Sequence, residues 1–467
     1  MAQVRIFKHY VHLPYLLLGM TEGLVFMLAI YLGAYIRFFS DLTELDLLGA
    51  LLPRALFFAG VMLLSMTAMG VYQARLREGI SGVMLRTAAS FLLGSTALSM
   101  IFYIFPSLFI GRGVIALAAL LSFFAVGALR WVFFKKVDEE VLKRHVVVLG
   151  AGWRAQNILD RLTSKTDTRG FVLSGFIKVD GEDVQIDDSR VLSIPSKKLF
   201  DYCKENDIDE IVVAVDDRRK HFPLDDLLDC KLSGIDVVEI ITFFERETGK
   251  VELDLLHPSW MVFSDGFSQN SVTGALERAF DVLASSLLFL ATWPIMLLTA
   301  VAIKIEEGPT ASVFYKQRRV GLEGRCFSVY KFRSMREDAE KNGAQWAQEN
   351  DTRITRVGNF IRKVRIDELP QILNVLNGDM GFVGPRPERP EFVSILAEKI
   401  PYFDERHRVK PGITGWAQLC YPYGASDEDS AQKLQYDLYY VKNHSLLLDA
   451  LILIQTVEVI LFGKGAR

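Results

Sequence analysis

Apolar residues in this chain form long unbroken runs in the first third and shorten to strand-length runs in the middle. One more long run then precedes a cation-rich C-terminal portion. Four stretches, about 14–36, 47–69, 87–105 and 113–134, are each close to the roughly 20 residues that span a bilayer as a helix. The first is too long for a signal peptide, lacks a small-residue cleavage site and is followed by three more like it. Arg54 falls inside the second, either snorkelling to the interface or facing another helix.

Charge between the runs sets an expected orientation. The tail carries Arg5 and Lys8, the second loop Arg75, Arg77 and Arg86, and the fourth run is followed by Lys135, Lys136, Lys143 and Arg144. The first and third loops offer Arg37 and Arg112 alone. The tail, the second loop and everything after the fourth run are therefore expected on the cytoplasmic side. One large buried helical domain fits this asymmetry poorly.

From His145 the pattern becomes that of alternating strands and helices. The run from His145 to Ala155 reads as a buried strand, a GxGxxA turn with Gly150 and Gly152, and a helix. Further strands are expected over 170–177, 210–215 and 234–240, which implies a parallel, Rossmann-like sheet. The two glycines allow a pyrophosphate to approach the helix N-terminus, or equally serve strand–helix packing. The tyrosine of this region, Tyr202, has Asn206 four residues on, so the Tyr-x-x-x-Lys pair of a sugar-nucleotide oxidoreductase is missing.

A fifth apolar run covers 282–303, with Arg278 before it and Lys304, Lys316, Arg318 and Arg319 after it. Both flanks carry the cytoplasmic mark, and Pro294 sits mid-run where it breaks backbone hydrogen bonding. A helix–break–helix that enters one leaflet and returns satisfies both features. Two strand-like segments follow, 313–321 and 327–335; Lys331 and Arg333, two apart, share a face of the second. A solvated edge strand would also favour lysine. The turn-rich loop 410–418 contacts a base or ribose, or merely packs. The last apolar stretch, 446–462, lies along the bilayer or packs on its own domain.

The most informative stretch is Arg365-Ile-Asp-Glu-Leu-Pro-Gln371, followed by the proline-locked loop 378–387 that carries Arg386. Pro370 belongs in a helix's first turn, which puts Asp367 at or near an N-cap, where free amides and the helix dipole favour an anion. An ionised carboxylate with Arg362, Arg365 and Arg386 nearby suits nucleophilic or metal-assisted chemistry on a phosphate. An ordinary capping aspartate among surface arginines is the competing reading.

Composition changes this picture little. The 467 residues allow two or more domains, half of the chain is hydrophobic, and the net charge of −3 excludes no partner. Cys203, Cys230, Cys326 and Cys420 are far apart, which argues against a disulfide framework or a zinc site.

Five ordered blocks resemble the bacterial sugar transferase family, the monotopic polyprenyl-phosphate sugar-1-phosphate transferases. They are the Pro-interrupted apolar helix, YKQRRVG, YKFRSMREDAE, RIDELPQILNVLNGDMGFVGPRPERPEF and KPGITGWAQ, all from about Leu276 onward. The N-terminal helices and middle domain resemble the large members that initiate exopolysaccharide, capsule or O-antigen assembly. The segment from Leu256 to Phe267 is similar to an exopolysaccharide subgroup.

The resemblance implies a multidomain membrane protein. Its expected parts are a four-helix transmembrane bundle (1–136), an α/β Rossmann-like, CoA-binding-like cytoplasmic domain (137–250), a linker (251–275) and an α+β catalytic domain (276–467) with a re-entrant, Pro-broken helix at 278–304. It also implies a UDP-sugar donor and an undecaprenyl phosphate acceptor at the cytoplasmic face of the bacterial inner membrane. Asp367 would attack the phosphate bearing the sugar and expel UMP, and the lipid phosphate would then displace Asp367. Mg²⁺ is the expected cofactor, with Asp367 and Glu368 as its ligands; Glu368 either helps bind it or takes the acceptor's proton. Arg386, Arg362, Lys331 and Arg333 would hold the donor phosphates. Besides donor, acceptor and bilayer, a homodimer is an expected partner state and nucleic acid is not. The rival from another class is a membrane-anchored nucleotide sensor or scaffold.

Overall fold

The computed structural model describes residues 3–6, 9–39, 50–72, 80–137, 143–162, 170–192, 194, 199–219, 222–264, 266–267, 271–336, 353–422, 424 and 426–461. Lys8, Arg75, Arg77 and residues 337–340 of the landmarks above lie outside them, as do the side chains of Arg5, Lys135 and Lys136. The chain divides into two compact units, residues 1–6 with 10–248 and residues 7–9 with 249–467.

In the first unit, α1 (Leu13–Arg37), α2 (Leu51–Ala68), α3 (Ile80–Ile104) and α4 (Arg112–Val137) share one apolar core. Phe26, Phe58, Met62, Met66 and Phe91 fill it, while Leu24, Leu28, Leu64, Leu92 and Phe124 face outward. A helix that is apolar on all sides is buried in protein or in lipid. Among the described residues five helices are long and apolar enough to cross a membrane: these four and the long helix of the second unit.

One polar cluster interrupts this core. Arg130 grips Glu22 with two hydrogen bonds, Nε to Oε1 at 2.5 Å and Nη2 to Oε2 at 2.8 Å, and donates to Thr87 Oγ1 at 2.7 Å. The Tyr72 hydroxyl also donates to Glu22. Both charges are fully buried, so each depends on the other for solvation. Arg86, expected in a loop, lies within α3 and donates to the Met69 carbonyl at 3.0 Å.

The same unit contains a parallel sheet of β1 (Arg144–Leu149), β2 (Phe171–Ile177), β3 (Val191–Leu192), β4 (Glu210–Val213) and β5 (Asp236–Glu239), in the order β3-β2-β1-β4-β5. Val146–Leu149 pair in register with Glu210–Val213. One face is covered by α6 (Leu199–Glu205) and α7 (Leu224–Leu232); Phe171 on β2 meets Phe243 of α8 (Ile240–Thr248) at 5.1 Å between ring centroids. The α5 helix (Trp153–Arg161) starts at the GxGxxA turn. β1 and β4 flank the point where the strand order reverses, where such sheets open a crevice.

In the second unit the short helix α9 (Pro258–Phe263) precedes the long α10 (Ser271–Glu307). The break expected at Pro294 is absent, because α10 is helical throughout. Proline deletes one backbone hydrogen bond and bends a helix, and need not end it. Arg278 on α10 donates to the Val375 and Leu376 carbonyls at 2.5 and 2.6 Å, capping α12 (Ile372–Asn377), and Asp281 Oδ1 accepts from Phe382 N at 2.8 Å. At the other end, Glu306 accepts from the amides of Arg356 and Val357 at 2.7 and 2.8 Å, at the N-terminus of α11 (Arg356–Lys363).

The hairpin of β6 (Phe314–Val320) and β7 (Cys326–Phe332) lies against this frame. Ile303, Phe332 and Ile361 form one small core, and Val329, Val375 and Met380 another. Two short strands, β8 (Gly381–Val383) and β9 (Gly412–Thr414), pair in parallel. The loop 410–418 therefore packs on the strand leading to Arg386. A Cβ at Gly412 would lie 2.1 Å from Gly384 N, so this approach requires glycine. The C-terminal helix α14 (Leu446–Leu461) also packs on its own domain through Leu448 and Ile452, with Thr456 and Thr414 hydroxyls 2.8 Å apart.

Candidate functional site

The chain reaches the two carboxylates through a strained residue. Arg365 adopts the left-handed conformation (φ 60°) and opens a 3-10 turn over Ile366–Gln371 that leads into α12. Such a conformation in a non-glycine residue persists only where its surroundings impose it, and it concentrates at functional sites. Asp367 and Glu368 fall in the first turn of this segment and are both buried. Asp367 therefore lies near the N-cap, as the Pro370 spacing suggests, but does not occupy it: position 365 takes that place, without a side-chain cap.

The adjacent carboxylates live in opposite environments. Glu368 Oε1 accepts from Arg386 Nη2 at 2.8 Å and Lys331 Nζ at 3.0 Å, and Oε2 faces Arg365 Nη1 at 3.9 Å. Burial works against its charge, but Arg386, Lys331 and Arg365 outweigh that and hold it well below the usual carboxylate range. Asp367 Oδ1 is buried and has no hydrogen-bond partner. Burial and the Glu368 charge push its carboxyl above the ordinary value, against the pull of Lys331, Arg365 and Arg362. The sequence reading made Asp367 the well-held anion; the packing gives that state to Glu368.

Of the expected phosphate ligands, Lys331 on β7 and Arg386 thus converge on Glu368, and Arg362, in the last turn of α11, acts on Asp367 through its charge. Burial lowers the Lys331 ammonium, with Glu368 opposing. Arg333 lies one residue beyond β7, its amide donating to the Val313 carbonyl at 2.9 Å. Sequence reasoning passed over Arg406 and Asp437. The guanidinium of Arg406 donates to the Arg386 carbonyl at 2.9 Å and pairs with Asp437 at 2.8 Å. Neither sits in a recognisable motif, so no local signal marked them.

The second expected site, the turn at Gly150 and Gly152, is filled from within. Asp216 accepts from the amides of Trp153 and Arg154 at 3.0 and 3.1 Å, and Glu182 accepts from those of Ala151 and Asp216 at 2.9 and 3.1 Å. A Cβ at Gly152 would lie 2.1 Å from Asp216 Oδ2, and one at Gly150 would lie 2.6 Å from the Ala214 carbonyl. The glycines accommodate the protein's own carboxylate and a neighbouring strand, as the packing reading of the motif expects.

Apolar helices of membrane-crossing length mark a membrane protein, and in its second unit a buried carboxylate lies beside another that is ringed by cations. Comparison with known proteins gives the family. Residues 272–463 match the bacterial sugar transferase family. The chain is 39% identical over 198 residues to the exopolysaccharide production protein PSS of Rhizobium leguminosarum bv. phaseoli, covering 41% of this chain and 98% of that protein. It is 46% identical over 239 residues to a UDP-N-acetylgalactosamine-undecaprenyl-phosphate N-acetylgalactosaminephosphotransferase of Aeromonas hydrophila, covering 51% of this chain and 55% of the relative. It is 32% identical over 334 residues to an undecaprenyl-phosphate glucose phosphotransferase of Komagataeibacter xylinus, covering 70% of this chain and 60% of the relative. The chain thus spans a little over half the length of these last two proteins. It belongs to the bacterial sugar transferase family.

Proposed function

We propose that this protein transfers a sugar 1-phosphate from a UDP-sugar to undecaprenyl phosphate, as the first membrane step of exopolysaccharide, capsule or O-antigen repeat-unit synthesis. The observation that carries this reading is the buried, unpartnered Oδ1 of Asp367 beside Glu368, with Lys331 and Arg386 poised on the latter. Asp367 Oδ1 attacks the phosphorus bearing the sugar; the P–O bond to UMP breaks, and UMP leaves with the bonding pair. An oxygen of undecaprenyl phosphate then attacks the same phosphorus, the bond to Asp367 breaks, and the aspartate returns as its anion.

Oδ1 of Asp367 has no hydrogen-bond partner and is buried from solvent, which keeps it nucleophilic once ionised. Arg386 and Lys331 exchange Glu368 for the donor's diphosphate, whose charge they neutralise; Arg362 and Arg333 extend that positive field. Among the described residues no group of three or more His, Cys, Asp or Glu could hold a metal. The partnerless Oδ1 of Asp367 beside Glu368 fits Mg²⁺, which is held by one or two carboxylates together with substrate phosphates. Asp367 and Glu368 would hold it, and when bound it supplies further neutralisation of the diphosphate.

The domain arrangement of the reading is a four-helix transmembrane bundle, a Rossmann-like cytoplasmic domain and a catalytic domain on the inner face of the cytoplasmic membrane. In this reading the long α10, bent at Pro294 without being broken there, dips into one leaflet and returns. Its support is that both ends of the helix, Arg278 with Asp281 and Glu306, bind the same catalytic layer, while Leu283, Leu287, Leu290, Trp293 and Leu298 between them are exposed. A soluble donor and a lipid acceptor then meet at one headgroup plane.

The test is UMP release and radiolabel transfer into lipid by membranes containing the protein. The donor panel holds UDP-glucose, UDP-galactose and UDP-N-acetylgalactosamine, because the relatives are named for different sugars. One donor is expected to label lipid, and Asp367→Asn to abolish it; full activity in that variant overturns the assignment.

A further inference from the structure

The loop that carries Arg386 is held by its carbonyls. Four consecutive ones each accept a hydrogen bond, and the donors come from three different elements. Pro385 O accepts from Gly412 N at 3.0 Å, Arg386 O from Arg406 Nη2 at 2.9 Å, Pro387 O from Arg319 Nη1 at 3.0 Å and Glu388 O from Val320 N at 2.9 Å. Prolines 385 and 387 fix φ on either side of Arg386 and have no amide to donate. With the backbone gripped on one side, the Arg386 side chain is left to reach Glu368.

Two of the four donors are charged side chains, and each is neutralised where it stands. Arg406 is buried, lies over the Phe403 ring at 5.1 Å and pairs with Asp437 of α13 (Asp427–Asn443) at 2.8 Å. Arg319, near the end of β6, meets Glu388 at 3.4 Å and Gln317 Oε1 at 2.6 Å. Hydrogen bonds from charged donors are stronger and more directional than neutral ones. A buried arginine whose charge is met elsewhere, spending its free N–H on a single loop carbonyl, fixes position and does not bind substrate.

We propose that Arg406 and Arg319 are positioning residues that aim Arg386, by holding the Arg386 and Pro387 carbonyls. This rests on the reading in which Arg386 holds the donor's phosphates. Loss of either grip leaves the loop in place through Gly412 and Val320 and lets the Arg386 guanidinium wander, so turnover falls while the fold survives.

The experiment is a double-mutant cycle on the full-length protein in membranes, read as UMP release under saturating donor and acceptor, with thermal melts of each variant. Arg406→Met and Arg319→Gln are each expected to lower turnover about 10- to 100-fold. In an Arg386→Gln background the same changes are expected to cost less than about threefold, because no guanidinium remains to be aimed. Arg406→Lys keeps a cationic donor and is expected within about threefold of the wild type. Costs that multiply in the double variants overturn the proposal, as do wild-type rates in both single variants. If Arg406→Met does not melt cooperatively, Arg319→Gln and Arg406→Lys decide: a tenfold loss in a normally melting Arg406→Lys also overturns it. Should Arg386→Gln alone release UMP at the wild-type rate, the underlying assignment of Arg386 fails. An impaired Arg386→Gln with multiplying costs removes only the positioning role.

Discussion

Arg386 Nη2 lies 2.8 Å from Glu368 Oε1, an oxygen that also accepts from Lys331 at 3.0 Å. One carboxylate oxygen thus holds both cations at the place where a phosphate oxygen would sit. Glu368→Gln keeps the shape and removes the charge that gathers them. Turnover in the UMP assay is expected to fall by about 10²-fold, the usual loss when one charge-aligning group leaves an active site. Activity within twofold of the wild type would show that Lys331 and Arg386 need no template.

Asp367 is expected to trade stability for chemistry. Its carboxyl is raised by burial and by Glu368, so its contribution to stability is fully present below the unfolded carboxylate range and is lost as pH rises through the folded value. At neutral pH its charge therefore weakens the fold. Asp367→Asn should abolish transfer and raise stability by about 1 kcal/mol, roughly 2–4 °C in melting temperature for a domain of this size. A lower melting temperature contradicts this account.

Asp437 predicts an acid limb in the pH profile. Burial pushes its carboxyl up to about 6, with Arg406 pulling the other way. Below that pH it takes a proton and Arg406 loses its counter-charge. Since the folded value lies above the ordinary one, protonation does not cost stability through this group. Turnover is therefore expected to fall below about pH 6 without a matching loss of melting temperature, and Asp437→Asn should remove that limb. His407 cannot supply it, because burial and Arg406 push its imidazole down to about 4.

Cys326 reports on the path of α10. It is exposed on the hairpin that follows the helix. If α10 returns to the side it left, a membrane-impermeant maleimide should label Cys326 in inverted vesicles and not in intact cells whose outer membrane has been permeabilised. Labelling in the intact cells would place the catalytic domain on the far side, away from its donor.

Gly152 separates the two readings of the GxGxxA turn. Gly152→Ala drives a methyl group against Asp216, at 2.1 Å from Oδ2, and should destabilise the sheet domain by about 1–3 kcal/mol. With Asp216 and Glu182 on the turn's amides, NAD⁺ at millimolar concentration is expected to leave the wild-type melt unshifted. A ligand-induced rise would restore the phosphate-binding reading.

What the sequence determined by itself was whatever physics writes locally. A bilayer demands apolar runs of a given length, so four helices were visible as runs, although Arg86 moved from loop to helix. Four of the five strands of the parallel sheet were legible from strand-length apolar runs, the two-residue Val191–Leu192 being too short to show, and Asp367, Glu368 and Arg386 from a compact stretch of twenty residues. Tertiary structure decided everything that depends on who faces whom. Glu22 finds Arg130 across 108 residues, Arg406 finds Asp437 on another helix, and Asp216 fills a turn that its own region advertises for a phosphate. It also decided which of two adjacent carboxylates is the settled anion, because that depends on Lys331 and Arg386, two cations delivered from separate elements. Charge and burial act through space, and spacing along a chain records them only where the chain stays beside itself.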